Sequence, residues 1–268
     1  MSFVYRHRAR LIVLSIGLVA GGLGGLLGIG GGSVVVPAFV FFLNFDQKRA
    51  HGTSLCVALF ISVSAVVAYG RHDFVDMRVA AEIAAGGVVG ALLGARTANV
   101  VRSRTLRYIF SIFMGLAGAR MIIAGLMPDA AAHQGVLTDV GLIRTVAIVG
   151  TGLVTGFLSA LLGIGGGIVM IPAMVIGLGI EQKMAQGISL AAMMITALTG
   201  LAAHTKMKNV DYRVGVWAGA GSVLGALLGA SAAALVSSSI LKLGFGVLML
   251  VMAILLARRR ERVEEEDI

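Results

Sequence analysis

The sequence predicts an all-α polytopic membrane protein made of two inverted-topology repeats. Each repeat is expected to hold a Gly-broken (discontinuous or re-entrant) helical hairpin followed by three transmembrane helices. Composition points to the membrane, because 58% of the 268 residues are hydrophobic and only 13% are charged, against about 25% in soluble domains. The apolar stretches are continuous rather than alternating, which excludes a β-barrel pattern. The third observation is a duplication that covers nearly the whole chain.

The duplication is clearest around two glycine runs. Residues 28–55 read GIGGGSVVVPAFVFFLNFDQKRAHGTSL and residues 163–190 read GIGGGIVMIPAMVIGLGIEQKMAQGISL, with identity at 16 of 28 positions and no gap. The offset between the two copies is 135 residues. We place the first transmembrane repeat at 9–127, the second at 138–257, and a charged cytoplasmic tail at 258–268.

Each half contains four apolar segments in the same order. They are segment A (11–43 and 146–178), B (53–69 and 188–204), C (79–100 and 214–235) and D (106–127 and 241–257). Segments B, C and D have about the 20 residues that one membrane span needs. Segment A has 33 residues, and three consecutive glycines in it weaken a helix by about 1 kcal/mol each. We therefore expect a hairpin at A, while full crossing and re-entry of its arms both stay open.

The distribution of Lys and Arg favours inverted halves. A hairpin and three spans give an odd net number of crossings, so the second half starts on the opposite side from the first. With both termini in the cytoplasm, the loop 128–139, which has no Lys or Arg, falls outside, as the positive-inside rule requires. Arg71, Arg78 and Lys183 are exceptions to this assignment. The expected location is the cell (inner) membrane, in a multi-pass arrangement.

The glycine runs are the candidate substrate site. A broken helix exposes backbone groups, and this is tolerated only inside protein or beside a polar cavity. The second arm presents free N–H groups and the positive end of its dipole, which suit an anion. Pro37 and Pro172 are structural residues of the break that free one more backbone group. The predicted lining is Gly30, Gly31, Gly32, Ser33, Gly165, Gly166 and Gly167. The alternative is that these glycines only allow close helix packing.

Polar residues at the start of segment B extend the candidate site. Gln47, Gln182, Ser54 and Ser189 can bond anion oxygens, and Lys48 and Lys183 can attract anions to each mouth. Against this, the serines can bond their own helix backbone, and the lysines can be interfacial residues with extended side chains. His51 and His204 are candidate proton carriers, but each stands alone in the sequence near a helix end, which favours a structural role.

At these motifs the chain resembles a known family. The paired L-L-G-I-G-G-G-x-x-x-x-P-A motif (26–38 and 161–173), followed by x-Q-K-x-A-x-G-x-S-L (46–55 and 181–190), is similar to the TauE/SafE sulfite exporter family over the whole chain. The resemblance implies a transporter of sulfur-containing anions such as sulfite, sulfonates or thiosulfate. The second copy replaces Ser33 by Ile168, so a hydroxyl contribution would be asymmetric.

The function predicted is therefore secondary transport of such anions, by export and alternating access around the paired glycine breaks. An anion channel of the same architecture and a non-transporting membrane scaffold are the alternatives. We expect no enzyme activity, no cofactor and no metal. The expected partners are a small anionic substrate and the lipid bilayer, without nucleic acid. A homodimer and coupling to protons or another ion stay open.

Overall fold

The computed structural model describes residues 3–97, 103–127, 141–162 and 166–258. These residues are almost entirely helical, and no strand occurs among them. The helices are α1 Phe3–Leu27, α2 Gly32–Leu43, α3 Gln47–Gly70, α4 Met77–Thr97, α5 Ser103–Leu126, α6 Gly141–Leu162, α7 Gly167–Pro172 with the π-helical turn Ala173–Gly177, α8 Gln182–Lys206, α9 Tyr212–Leu235 and α10 Ser238–Arg258.

Seven of these helices are long and apolar enough to cross a membrane, namely α1, α3, α4, α6, α8, α9 and α10. Shorter apolar helical stretches accompany them at Gly32–Leu43, Phe110–Leu126 and Gly167–Gly177. The protein is thus an all-α polytopic membrane protein, as its composition predicts.

Segment A breaks where its glycines predict a break. Gly28, Gly30 and Gly31 have φ angles of 75°, 67° and 72°, a left-handed region that glycine reaches without steric penalty. The N–H of Ile29 bonds the carbonyl of Gly24 at 3.2 Å, as in a Schellman helix ending. The second arm, α2, has only 12 residues, which is too short to cross a bilayer alone.

The second copy of the break differs in its backbone. Gly166, the counterpart of Gly31, has an ordinary helical φ of −66°. Pro172 ends α7, and a π-helical turn takes over, since proline removes one backbone donor from the helical ladder. Residues 163–165 of this break lie outside the described part, as does the tail beyond residue 258.

The helices of the two halves are interleaved. α1 of the first half lies along α9 of the second, and α6 of the second lies along α4 of the first. The corresponding helices α3 and α8 contact each other, and so do α5 and α10. Neither half therefore forms a separate bundle, and the helices of both enclose the glycine breaks.

Glycine stripes bring the paired helices close. A Cβ on Gly17 would lie 1.9 Å from the carbonyl oxygen of Ala218, and one on Gly21 would lie 2.3 Å from that of Ser222. Small residues at such spacing let membrane helices approach closely. Because both contact positions advance together along the chain, α1 and α9 run parallel.

The corresponding helices α3 and α8 run antiparallel instead. Gly52, near the start of α3, lies against His204, near the end of α8, while Leu55 lies against Gly200. In α5 and α10 the order is likewise reversed, because Gly118 meets Gly246 and Gly125 meets Ser239.

Candidate functional site

The first glycine turn, Gly28–Gly31, lies between α3 and α8. A Cβ on Gly31 would be 2.5 Å from the Ile61 side chain, close to the middle of α3. A Cβ on Gly28 would be 2.8 Å from Gln186, and one on Gly30 would be 2.2 Å from Met193. The turn is thus held between the two halves, and bulk at these three positions would displace it.

Side chains from both halves bond the carbonyls at the end of α1. The Tyr69 hydroxyl lies 3.0 Å from the carbonyl oxygen of Gly25 and 3.1 Å from the Gln186 side-chain oxygen, and its single hydrogen is donated to one of these two acceptors at a time. The Gln186 amide donates to the Leu26 carbonyl at 3.3 Å, and Ser189 Oγ donates to the Gly28 carbonyl at 3.0 Å. Lipid cannot satisfy such groups, so these bonds hold the break in place.

Sequence reasoning missed Tyr69, which is fully buried. A tyrosine at the end of an apolar segment suggests the membrane interface. The repeat offset was the one sequence signal that could have pointed to Tyr69. At that offset Tyr69 corresponds to the candidate His204, and its partner Gln186 corresponds to the candidate His51.

The two hairpin tips touch. A Cβ on Gly167, the first residue of α7, would lie 2.8 Å from the Cα of Ile29 and 2.9 Å from the carbonyl oxygen of Gly28. It would also lie 3.2 Å from Ser189 Oγ. Gly166 is half-buried beside this contact, and Gly165 lies outside the described residues.

The start of α2 keeps unpaired groups. Its N-cap, Gly31, offers no side-chain cap, and the N–H groups of Val34 and Val35 already bond the Gly31 carbonyl. The N–H groups of Gly32 and Ser33 come before the first helical bonds. Ser33 Oγ is buried and bonds none of the residues that the structure places. Pro37 lies four residues later in α2. Because proline has no N–H, the Ser33 carbonyl lacks its usual helical hydrogen-bond donor.

The two predicted polar faces differ. Gln182, Gln186 and Ser189 are spaced for one face of α8, and all three are fully buried. Neither side-chain polar atom of Gln182 bonds another described residue. On α3, by contrast, Gln47 is exposed and Ser54 Oγ donates to the carbonyl of His51 in its own helix. The polar face of α8 is therefore buried in the protein, whereas the corresponding face of α3 is partly exposed.

The two lysines lie away from the tips. Lys48 is exposed at the start of α3. Lys183 Nζ donates to the Ala234 carbonyl at 2.8 Å, in the last turn of α9, and lies 5.2 Å from the centre of the Phe74 ring. A cation at a helix C-terminus is favourable. The Lys183 ammonium therefore stabilises the C-terminal end of α9 in this structure.

Known proteins resemble this chain across both halves. The family model described as sulfite exporter TauE/SafE matches residues 3–121 and 147–267. The probable membrane transporter protein YunE of Bacillus subtilis is 32% identical over 248 residues, which cover 86% of this chain and 88% of YunE. A probable membrane transporter protein of Methanocaldococcus jannaschii is 28% identical over 207 residues, which cover 75% of this chain and 74% of that protein.

No solved structure matches the chain. The family match covers most of both halves and includes both glycine turns. The chain therefore belongs to the sulfite exporter TauE/SafE family and is a membrane transporter.

Proposed function

We propose that the protein is a secondary transporter that exports small sulfur-containing anions, such as sulfite or sulfonates, by alternating access around its two glycine turns. The substrate class comes from the family description. The preference for an anion has separate support in the surroundings of α2.

The space around Gly32 is the observation that carries this proposal. A Cβ on Gly28, Gly30 or Gly31 would collide with its neighbours, whereas a Cβ on Gly32 would meet none of the described atoms within 4 Å. Tight packing therefore explains the first three glycines and does not explain the fourth. Space without described atoms beside a helix N-terminus, next to a buried Ser33 hydroxyl that bonds no described residue, fits a bound ligand.

The groups at this place suit an anion. The free N–H groups of Gly32 and Ser33 carry the partial positive charge of the helix end, and the Ser33 hydroxyl can donate one more bond. No Lys or Arg occurs between Leu11 and Gln47. The negative charge of the substrate would thus be stabilised by backbone dipoles rather than by a formal cation. Such stabilisation suits weak and reversible binding.

The opposite wall of the proposed site comes from the second half. Gly167 approaches the first turn, with Gly166 directly before it in the chain, and Gln182 and Ser189 lie on the buried face of α8. Gln47 and Lys48 are exposed at the start of α3, where they can guide anions towards a mouth. A contribution from Ser54 or Lys183 requires them to leave their present hydrogen-bond partners.

The helix directions support the inverted arrangement behind this mechanism. Corresponding helices α3 and α8 run antiparallel, as inverted repeats require. With Lys and Arg predominantly inside, both termini would be cytoplasmic, and the inner membrane would be the site of action. No enzymatic step is needed for this function.

Counterflow of labelled sulfite tests the proposal. The purified protein in liposomes loaded with unlabelled sulfite is expected to accumulate external label transiently, because a carrier exchanges substrate across the membrane. Taurine, sulfoacetate, thiosulfate and sulfate as competitors then rank the substrate class. Passive equilibration without overshoot would indicate a channel, and no movement of any of these anions through folded protein would contradict the proposed function.

A further inference from the structure

The crossing of α3 and α8 carries different side-chain pairs at its two ends. At one end the Tyr69 hydroxyl bonds the Gln186 side chain at 3.1 Å. At the offset of 135 their counterparts are His204 and His51. The two imidazole rings face each other across the other end, with centres 5.5 Å apart and planes inclined by 65°. Two histidines that are far apart in sequence therefore form a pair between the halves.

The histidine end also has polar neighbours. Arg49 pairs with Asp211 at 2.6 Å, and the N–H of Asp211 donates to Thr53 Oγ1 at 3.0 Å. The hydroxyl groups of Thr205 and Tyr212 bond each other. At the tyrosine end, the counterparts of Arg49, Thr53, Thr205 and Tyr212 are Met184, Ile188, Gly70 and Met77. At these four positions the histidine end thus carries polar side chains and the tyrosine end does not.

One histidine nitrogen lacks a hydrogen-bond partner among the described residues. Nδ1 of His204 is buried and bonds no other described residue. Buried nitrogen atoms of this kind are normally hydrogen-bonded. An imidazole nitrogen that lacks a hydrogen-bond partner among the described residues, beside a second imidazole, can accept a proton from water.

The nearby carboxylates are already engaged. Asp46 accepts the backbone N–H of Arg49 at the start of α3, and Asp211 pairs with Arg49 and caps α9. At this end of the surrounding elements the other charged or titratable groups are Lys48 and Cys56 on α3, Lys206 on α8, Lys208 in the following turn, Tyr212 and Arg213 on α9, Arg96 in the last turn of α4, and Arg10 on α1, which lies over the Trp217 ring of α9. A proton on the pair would thus be held without a dedicated carboxylate, which keeps its binding reversible.

We propose that His51 and His204 together form a proton-binding site that couples proton movement to anion transport; its coupling role rests on the proposed function. A proton taken from water onto one ring turns an acceptor nitrogen into a donor and adds one positive charge between α3 and α8. These two helices enclose the first glycine turn, so the charge changes the contact between the two halves on one side of that turn. The pair holds one proton, because a second positive charge so close would be repelled. Release of the proton to water restores the neutral pair.

The chain supplies a matched variant for the transport test. The double substitution H51Q and H204Y gives the histidine end the same glutamine–tyrosine pair that the other end already has. A proton gradient is expected to stimulate sulfite uptake several-fold in wild-type proteoliposomes, and this ratio is expected to fall to about one in the double variant. His72→Gln is the control, because His72 is exposed near the opposite end of α3; it should keep the stimulation. Equal stimulation in wild type and double variant would overturn the coupling.

Proton binding is tested without transport. NMR of imidazole-labelled, purified protein follows each histidine during a pH titration. The titration curve of His204 is expected to change when His51 is replaced by Gln, and to remain the same in His72→Gln, because interacting sites titrate as a pair. An unchanged His204 curve in His51→Gln would overturn the shared proton site. If none of the sulfur-containing anions is transported, the proposed function is refuted, and this titration still decides whether the two histidines share a proton.

Discussion

At the scale of single residues, Gly31 and Gly32 differ although they are neighbours in the chain. Gly31 has a left-handed backbone and touches Ile61, whereas Gly32 has no described atom within 4 Å of the place of a Cβ. The sequence predicts a break at this run, because three glycines weaken a helix. It could not separate the two roles, since they depend on a contact with Ile61 in another helix.

Ser33→Ala tests the hydroxyl at the proposed site. We expect the KM for sulfite to rise at least about tenfold, because a hydrogen bond to a charged group contributes about 1.5–3 kcal/mol. The concentration dependence of sulfite exchange measures this. Ser54→Ala is the control, because that hydroxyl bonds its own helix; equal KM values for the two variants would argue against a role of Ser33 in binding.

At the scale of elements, the end of α1 depends on side chains from α3 and α8. The position of this end was predictable from the glycines. Its hydrogen-bonded neighbours were not, because Tyr69 and Gln186 are 117 residues apart and no local sequence pattern joins them. The π-helical turn after Pro172 was equally hidden, since Pro37 at the matched position lies within a continuous helix.

Tyr69→Phe is expected to destabilise the folded protein by about 1–3 kcal/mol, because the hydroxyl that the buried oxygens of Gly25 and Gln186 share as a donor is lost. Thermal unfolding of the purified variant measures the change. Tyr108→Phe provides the comparison, as Tyr108 is exposed on α5. If both variants unfold at the wild-type temperature, the Tyr69 bonds do not stabilise the break.

The contact between α1 and α9 gives a second test at this scale. Gly21→Ala places a Cβ 2.3 Å from the carbonyl oxygen of Ser222, whereas in Gly22→Ala the nearest described atom is 3.9 Å away. We expect Gly21→Ala to lose about 1–3 kcal/mol of stability through overpacking, and Gly22→Ala to stay near wild type. Similar unfolding temperatures for both would contradict the close packing of these two helices.

At the scale of the whole molecule, the sequence repeat makes the architecture predictable and conceals its asymmetry. The glycine runs recur at one offset, so two hairpins could be expected from residues alone. The paired histidines could not, because His51 and His204 meet only when α3 and α8 cross in opposite directions. Tyr69 and Gln186 occupy the equivalent crossing at the other end, which gives the two ends different chemistry.

Inverted topology is tested by accessibility of matched positions. Arg71 follows α3 and Lys206 ends α8, at the repeat offset, and both are exposed. In a Cys56→Ser background, we expect Arg71→Cys to react with an impermeant maleimide from outside the cell and Lys206→Cys to react only from the cytoplasmic side. Reaction of both from one side would indicate parallel repeats.

The measurement that tests the central claim most directly is sulfite exchange by Gly32→Val. The account predicts that the added side chain fills the space in front of α2, so that exchange falls at least about tenfold while the unfolding temperature stays near wild type. Gly115→Val is the matched control, because its position on α5 is also free of described atoms within 4 Å and lies outside the proposed site; its exchange rate should match wild type. Wild-type exchange by folded Gly32→Val would contradict the account, because the substrate would then pass without using this space.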